Sequence, residues 1–353
     1  MLMDLSGPPS NPSSVHSFGK DARRLLTQAR NTVAKFFRAS PDEIIFTSGG
    51  TESINLLLRS LGSGHVITSS IEHSCIDSTL RSLKNIDTTF LSPGLSGAMT
   101  REQIEQAIRP DTKAIIATLS NAETGVKIDI EAIADLAQQK NIFLFIDAVS
   151  YVGKEPLPLH PGISSIAISA HKFHGPKGIG TLWTRSCVKL ATQMTGGGQE
   201  NARRSGTENL AAILGLAEAL NILEQEQTAI TQKIRDLRDH FEESLIKALP
   251  DVRVNGTDPR ICNTSNLCFP GIDGETLLIQ LDRYGIAASH GSACSSGALE
   301  PSRVLLNMGL DRKTARSSIR FSFSRMNTKE EIDTAIKQII ALVTKLHALS
   351  ISK

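Results

Sequence analysis

The chain has 353 residues, 40% of them hydrophobic, which is more apolar material than one compact core absorbs and predicts a large domain plus a smaller one. Its 38 Lys and Arg stand against 36 Asp and Glu, a balance that attracts neither nucleic acid nor anionic lipid, so any substrate must be captured by local chemistry. No apolar run approaches the roughly 20 residues of a membrane span, and the start MLMDLSGPPSNPSS lacks the charged-then-apolar layout of a signal peptide. No nucleic-acid or membrane partner is expected, and a cytoplasmic enzyme fits best.

After an irregular lead-in over 1–14, apolar residues from Phe18 to Phe37 recur at helical spacing (Leu25, Ala29, Val33, Phe36). A Ser40-Pro41-Asp42 break leads into the strand-like EIIF, and the alternation of strand and helix then continues through HVITSS (65–70), TTFLS (88–92), AIIATLS (114–120), IFLFIDA (142–148), SSIAISA (164–170) and GTLWT (180–184). These segments are almost wholly apolar rather than alternating, as a sheet covered on both faces requires. Thr100 with Gln103 and Thr328 with Glu331 form capping-box sequences that predict helix starts. The expected fold class is α/β: a mostly parallel, helix-covered sheet over 15–249, closed by a long helical stretch, and a smaller α+β domain over 250–353. Ligands of such sheets sit beyond the carboxyl ends of the strands, so polar residues there deserve inspection.

Five cysteines, Cys75, Cys187, Cys262, Cys268 and Cys294, are an odd and scattered set without a CxxC pair, which argues against a disulfide framework. The first four read as small buried hydrophobes. Cys294 lies in SHGSACSSG, a stretch of small residues without periodicity, and reads as a loop thiol.

Three loops could carry chemistry. Thr47-Ser48-Gly49-Gly50-Thr51-Glu52 opens a helix and offers backbone N–H groups to an anion, although an ordinary helix cap would look the same. Asp147 ends a buried strand, where a carboxylate needs a cationic partner. One strand later SAHKFHGPKG presents Ser169, His171 and Lys172, and a lysine there could form a Schiff base, its amine tuned by burial and neighbouring cations. His171 with His174, and the Glu72-His73-Ser74-Cys75 cluster, lack the spacing of a metal motif, so no metal is expected. Arg320, in the apolar SIRFS, meets either a substrate carboxylate or a structural acid.

In combination, NPSSVHSFG, EIIFTSGGTES, SSIEHS, IDAVSYVGK, SAHKFHGPKGIG, GGGQENARRSGTEN, GSACSSGALEPS and SSIRFS resemble the cysteine desulfurases, pyridoxal-phosphate-dependent enzymes of the class V aminotransferase fold. The resemblance implies pyridoxal 5'-phosphate held as a Schiff base by Lys172, with Asp147 facing the ring nitrogen and His73 stacked on the ring and moving protons. It implies phosphate-side contacts from Gly50, Thr51, Ser169 and His171, and one from Thr207 given to the second subunit of a homodimer. Arg320 would bind the carboxylate of the substrate L-cysteine, and Cys294 would take its sulfur as a persulfide for an iron–sulfur scaffold or sulfur carrier. Two departures fall on one cofactor atom: Ala122 stands where the family has an asparagine and Ser150 where it has a glutamine, leaving Asn121 or Ser150 to substitute, with Asn121 also a substrate contact. The family's LDxxATTP-like opening and the longer tail of some members are not matched. Another class V reaction, such as a transamination or selenocysteine cleavage, and a binding paralogue without catalysis are the alternative readings.

Overall fold

The computed structural model describes residues 1, 5–8, 10–291 and 300–351. Seven strands, β1 (Ile44–Thr47), β2 (Gly64–Ser69), β3 (Ile86–Leu91), β4 (Thr112–Thr118), β5 (Phe143–Asp147), β6 (Ser165–Ser169) and β7 (Gly180–Thr184), build the main sheet. Their order is β1-β7-β6-β5-β4-β2-β3. The pairs from β3 through β6 are parallel, and β7 runs antiparallel to both β6 and β1. All strands but β7 therefore end on the same edge, and Thr47, Ser69, Thr118, Asp147 and Ser169 are brought to it.

Both faces of the sheet are covered, as the apolar strands require. In β1, Ile44 and Phe46 enter one hydrophobic cluster and Ile45 the other, the period-2 alternation of a strand with two buried faces. Helix α1 (Ser17–Phe36), α5 (Ile130–Lys140) and the long α6 (Leu210–Ala248) contribute to the first cluster. Helices α2 (Gly50–Arg59) and α3 (Ser74–Ser82) supply the second through Ile54, Leu57, Ile76 and Leu80. Both capping boxes form: Thr100 and Gln103 open α4 (Arg101–Ala107), and Thr328 and Glu331 exchange hydrogen bonds at 3.3 and 3.1 Å before the last helix.

The second sheet is antiparallel, in the order β10-β9-β8, from β8 (Arg253–Val254), β9 (Thr264–Cys268) and β10 (Ser318–Ser322). It is flanked by α7 (Gly274–Arg283), the short α8 (Arg303–Asn307) and α9 (Arg312–Arg316), and α10 (Lys329–Ile351). Helix α6 ties the two sheets together: Phe241 packs on Phe321 at 4.9 Å and on Phe323 at 5.2 Å between ring centroids, and Glu242 forms a buried double hydrogen bond with Arg260 at 2.6 and 2.8 Å. Among the described residues no helix is long and apolar enough to cross a membrane.

Of the described cysteines, Cys262 and Cys268 are buried as expected, while Cys187 is exposed and Cys75 half-buried. Cys187 follows β7 in a surface turn, where sequence composition alone does not distinguish inside from outside.

Candidate active site

The turn after β1 carries the chain from Thr47 into α2 through Gly49 at φ +152, a conformation open to glycine and strained for other residues. Gly50 packs so closely on the turn after β5 that a Cβ there would stand 2.5 Å from the Val149 side chain. The start of α2, with its free N–H groups, opens on a cavity of about 340 Å³ lined by Gly49, Gly50, Thr51, Ser169, His171 and Lys177 among others. Ser169 Oγ and His171 Nδ1 lie 3.0 Å apart on its wall. Backbone donors, hydroxyls and a lysine around a hollow of this size are the chemistry of an anion site.

Glu52 closes the outer side. Burial pushes its carboxyl up, but hydrogen bonds from Arg204 and from the Ser48 backbone hold it below the usual range. The Arg204 contact, 2.9 Å, ties the loop before α6 to α2. Thr207 lies farther along that loop, exposed and outside the lining of the cavity in its own chain.

Asp147, at the end of β5, is buried. Its Oδ1 accepts the Val149 N–H at 2.9 Å. Burial raises its carboxyl above the ordinary range, opposed by that backbone bond and by the positive charges of His73 and Lys172. His73 caps α3, and its Nδ1 accepts the Cys75 N–H at 3.1 Å, which leaves Nε2 as the nitrogen free to carry or pass a proton. Lys172 sits in a 3-10 turn, Ala170–Phe173, directly after β6. It is exposed, which corrects the expectation of a buried lysine: the turn lifts the side chain off the strand end, and burial acts instead on Lys154, pushing its amine down to about 7.

Asn121 and Ser150 are both placed near this edge but are engaged in the fold. Asn121 Oδ1 accepts the N–H groups of Glu123 and Thr124 at 2.9 and 3.1 Å, and its Nδ2 donates to Ile71 O at 3.1 Å. Ser150 Oγ donates to Ser120 O at 2.5 Å. Ala122, next to Asn121 in the chain and exposed, contributes its carbonyl, which accepts Arg320 Nη1 at 3.0 Å. Arg320, in β10, also forms an isolated bridge with Ser289, so the second sheet delivers its guanidinium to the first. Cys294 lies outside the described residues.

Sequence reasoning gave no role to three ionisable groups here. Glu72 accepts the Thr118 N–H at 3.0 Å and the Thr118 hydroxyl, and burial raises its carboxyl to about 8. Glu123 is buried, accepts the Ser302 hydroxyl and faces Gly291. Lys154 is the third. Glu72 and Lys154 sit within segments already quoted and Glu123 directly after Ala122, but nothing in a local pattern separates a buried acid or amine from an exposed one.

With this geometry in view, the chain matches the family model described as "Aminotransferase class-V" over residues 3–334. The chain belongs to the aminotransferase class-V family. Among its class-V relatives, the cysteine desulfurase of Nostoc sp. (strain PCC 7120) is 39% identical over 350 residues, covering 96% of this chain and 87% of the relative. The solved structure of a NifS-like protein has a TM-score of 0.87 at 32% identity, covering 95% of this chain and 91% of that one. Another, SspA in complex with cysteine, has a TM-score of 0.77 at 31% identity over 90% of this chain and 92% of that one.

Proposed function

We propose that this class-V chain is a cysteine desulfurase that converts L-cysteine to L-alanine and passes the sulfur through Cys294 to an acceptor protein. The observation that carries the reading is a buried carboxylate, Asp147, that faces His73 and Lys172 and has no ion-pair partner among the described residues. Class-V desulfurases depend on pyridoxal phosphate, and the residues suit that group. Asp147 offers a buried negative charge for a protonated ring nitrogen, the Gly49–Thr51 turn with Ser169 and His171 offers a cup for the phosphate, and Lys172 stands on the same edge as the amine for the Schiff base. When bound, pyridoxal phosphate supplies an electron sink for negative charge at the substrate Cα.

The chain's own groups do the rest. Lys172, exposed on this edge, removes the Cα proton and returns one as general base and acid. His73, held by the Cys75 N–H, presents Nε2 to the same space for proton transfer. Arg320, oriented by the Ala122 carbonyl, binds the substrate carboxylate. The Cys294 thiolate takes the substrate sulfur, leaving a persulfide on the enzyme. With the Asn121 amide and Ser150 hydroxyl bound to backbone, neither is counted on as a cofactor contact. A homodimer in which the exposed Thr207 reaches the partner's phosphate cup completes the proposal, as does a division into units 15–249 and 250–353.

The test is to incubate the purified protein with pyridoxal phosphate, L-cysteine and dithiothreitol, which reduces the persulfide and releases its outer sulfur, and to measure alanine and sulfide together. Equal yields are expected. Lys172→Ala abolishes both products, and Cys294→Ala stops persulfide formation; a Lys172→Ala protein of undiminished activity overturns the reading.

A further inference from the structure

We propose that Lys154 is a positioning residue for Lys172: its amine grips the main chain of the turn that carries the reactive lysine and sets the charge which that lysine faces. The inference rests on the reading of Lys172 given above.

The turn that presents Lys154 is pressed against the turn that presents Lys172. Gly153 has φ +84, and a Cβ on it would stand 2.4 Å from the Phe173 Cβ, so glycine is what lets the two backbones meet. From that contact Lys154 Nζ donates to the carbonyl of Lys172 and, at 3.2 Å, to Val152 O. The carbonyl of Lys154 itself is held from two sides, by Thr231 Oγ1 of α6 at 2.5 Å and by Cys262 Sγ at 3.3 Å. A chain of hydrogen bonds thus runs from the long helix through Lys154 to the backbone of residue 172.

The electrostatic setting is one-sided. On the Lys172 turn, Lys154 faces Lys172, His171 and His174, and the charge of Lys154 disfavours protonation of both histidines. On the other side stands Cys262. The neighbouring acid, Glu155, is already engaged by Lys127 at 2.7 Å and Arg235 at 2.9 Å, and among the described residues no carboxylate forms an ion pair with Lys154. The residue as a whole is half-buried, but its amine is packed among protein atoms, and that burial, with the Lys172 charge, pushes it to about 7. Lys154 is therefore charged below neutrality and uncharged well above it.

The test uses Lys154→Gln and Lys154→Met in the full chain, both checked for folding by Trp183 fluorescence. The cofactor-free protein is trace-acetylated with acetic anhydride at pH 6.5 and at pH 9, and modification of Lys172 relative to the exposed Lys113 is read by mass spectrometry. Each variant removes a like charge that faces Lys172, so the relative rate falls about threefold or more at pH 6.5 in both variants. At pH 9, where Lys154 is already neutral, the charge effect vanishes and Lys154→Gln, whose amide can still donate to the Lys172 carbonyl, agrees with the parent. In the loaded enzyme the same variants lower kcat without changing KM. A relative rate unchanged at both pH values, or lowered equally at both, overturns the proposal, because a purely structural residue has no reason to act at one pH alone. The labelling needs neither cofactor nor turnover, so its outcome is separate from that of Lys172→Ala.

Discussion

Replacing Glu72 by glutamine gives a pH-dependent gain in stability whose sign and size follow from the fold. Burial raises the Glu72 carboxyl from the usual 4.5 to about 8, with the Asp147 charge adding to the rise and the Thr118 and Arg303 groups opposing it. A group bound more tightly to its proton in the folded state stabilises fully below its unfolded value and loses that contribution as pH climbs through its folded value. For Glu72 the loss begins near pH 4.5 and is complete above about pH 8. At about 1.4 kcal/mol for each tenfold change in proton affinity, it reaches about 5 kcal/mol, an upper figure because partial relaxation around the charge reduces it. Glutamine keeps the acceptor oxygen for the Thr118 N–H and carries no charge. The difference in unfolding free energy, variant minus parent, is therefore near zero at pH 4.5, rises to about 3–5 kcal/mol by pH 8 and is flat beyond. Urea unfolding followed by Trp183, the single tryptophan and a buried one, measures this directly, and taking the difference cancels the titration of other groups. A difference independent of pH refutes the assignment of a buried, proton-retaining Glu72.

Arg260→Ala leaves Glu242 buried without its guanidinium and costs about 3–5 kcal/mol in urea unfolding, whereas replacing both residues by methionine costs less, since neither then leaves a buried charge. Gly153→Ala meets both the positive φ and the Phe173 contact and lowers stability by about 1–3 kcal/mol, seen as a lower urea midpoint. His65 bridges Thr112 and Thr89 at 2.8 Å each, and burial holds its imidazole below the usual range. Its contribution is present above the unfolded value of about 6.5 and is lost as pH falls, so the fall in midpoint between pH 7 and pH 5 is shallower in His65→Gln.

All seven strands of the main sheet were legible in the sequence, because the strands buried on both faces are largely apolar and stand out against the helices around them, and the more polar edge strand β3 still carries the β-branched and aromatic residues of a strand. The glycine turn before α2 and the polar residues at the ends of β5 and β6 were legible for a related reason: small or charged residues after an apolar strand have few structural uses. Less was legible where one side chain has two possible roles. Asn121 was read as a contact for ligand, yet its amide oxygen accepts from the turn at Glu123 and Thr124 and its amide nitrogen donates to the Ile71 carbonyl. Lys172 was expected to be buried, and the 3-10 turn that follows β6 instead leaves it exposed while Lys154, eighteen residues earlier, takes the enclosed position.

The sequence by itself determined the class of the fold, the edge of the sheet on which chemistry gathers and the residue types available there. These follow from short-range patterns of polarity and from backbone freedom at glycine. Only the tertiary structure decided which acids retain protons, which amine is enclosed and which amide is tied into a turn. Those properties depend on segments distant along the chain, such as Glu72 against Thr118 and Asp147, or Lys154 against Lys172, and on the water their packing excludes.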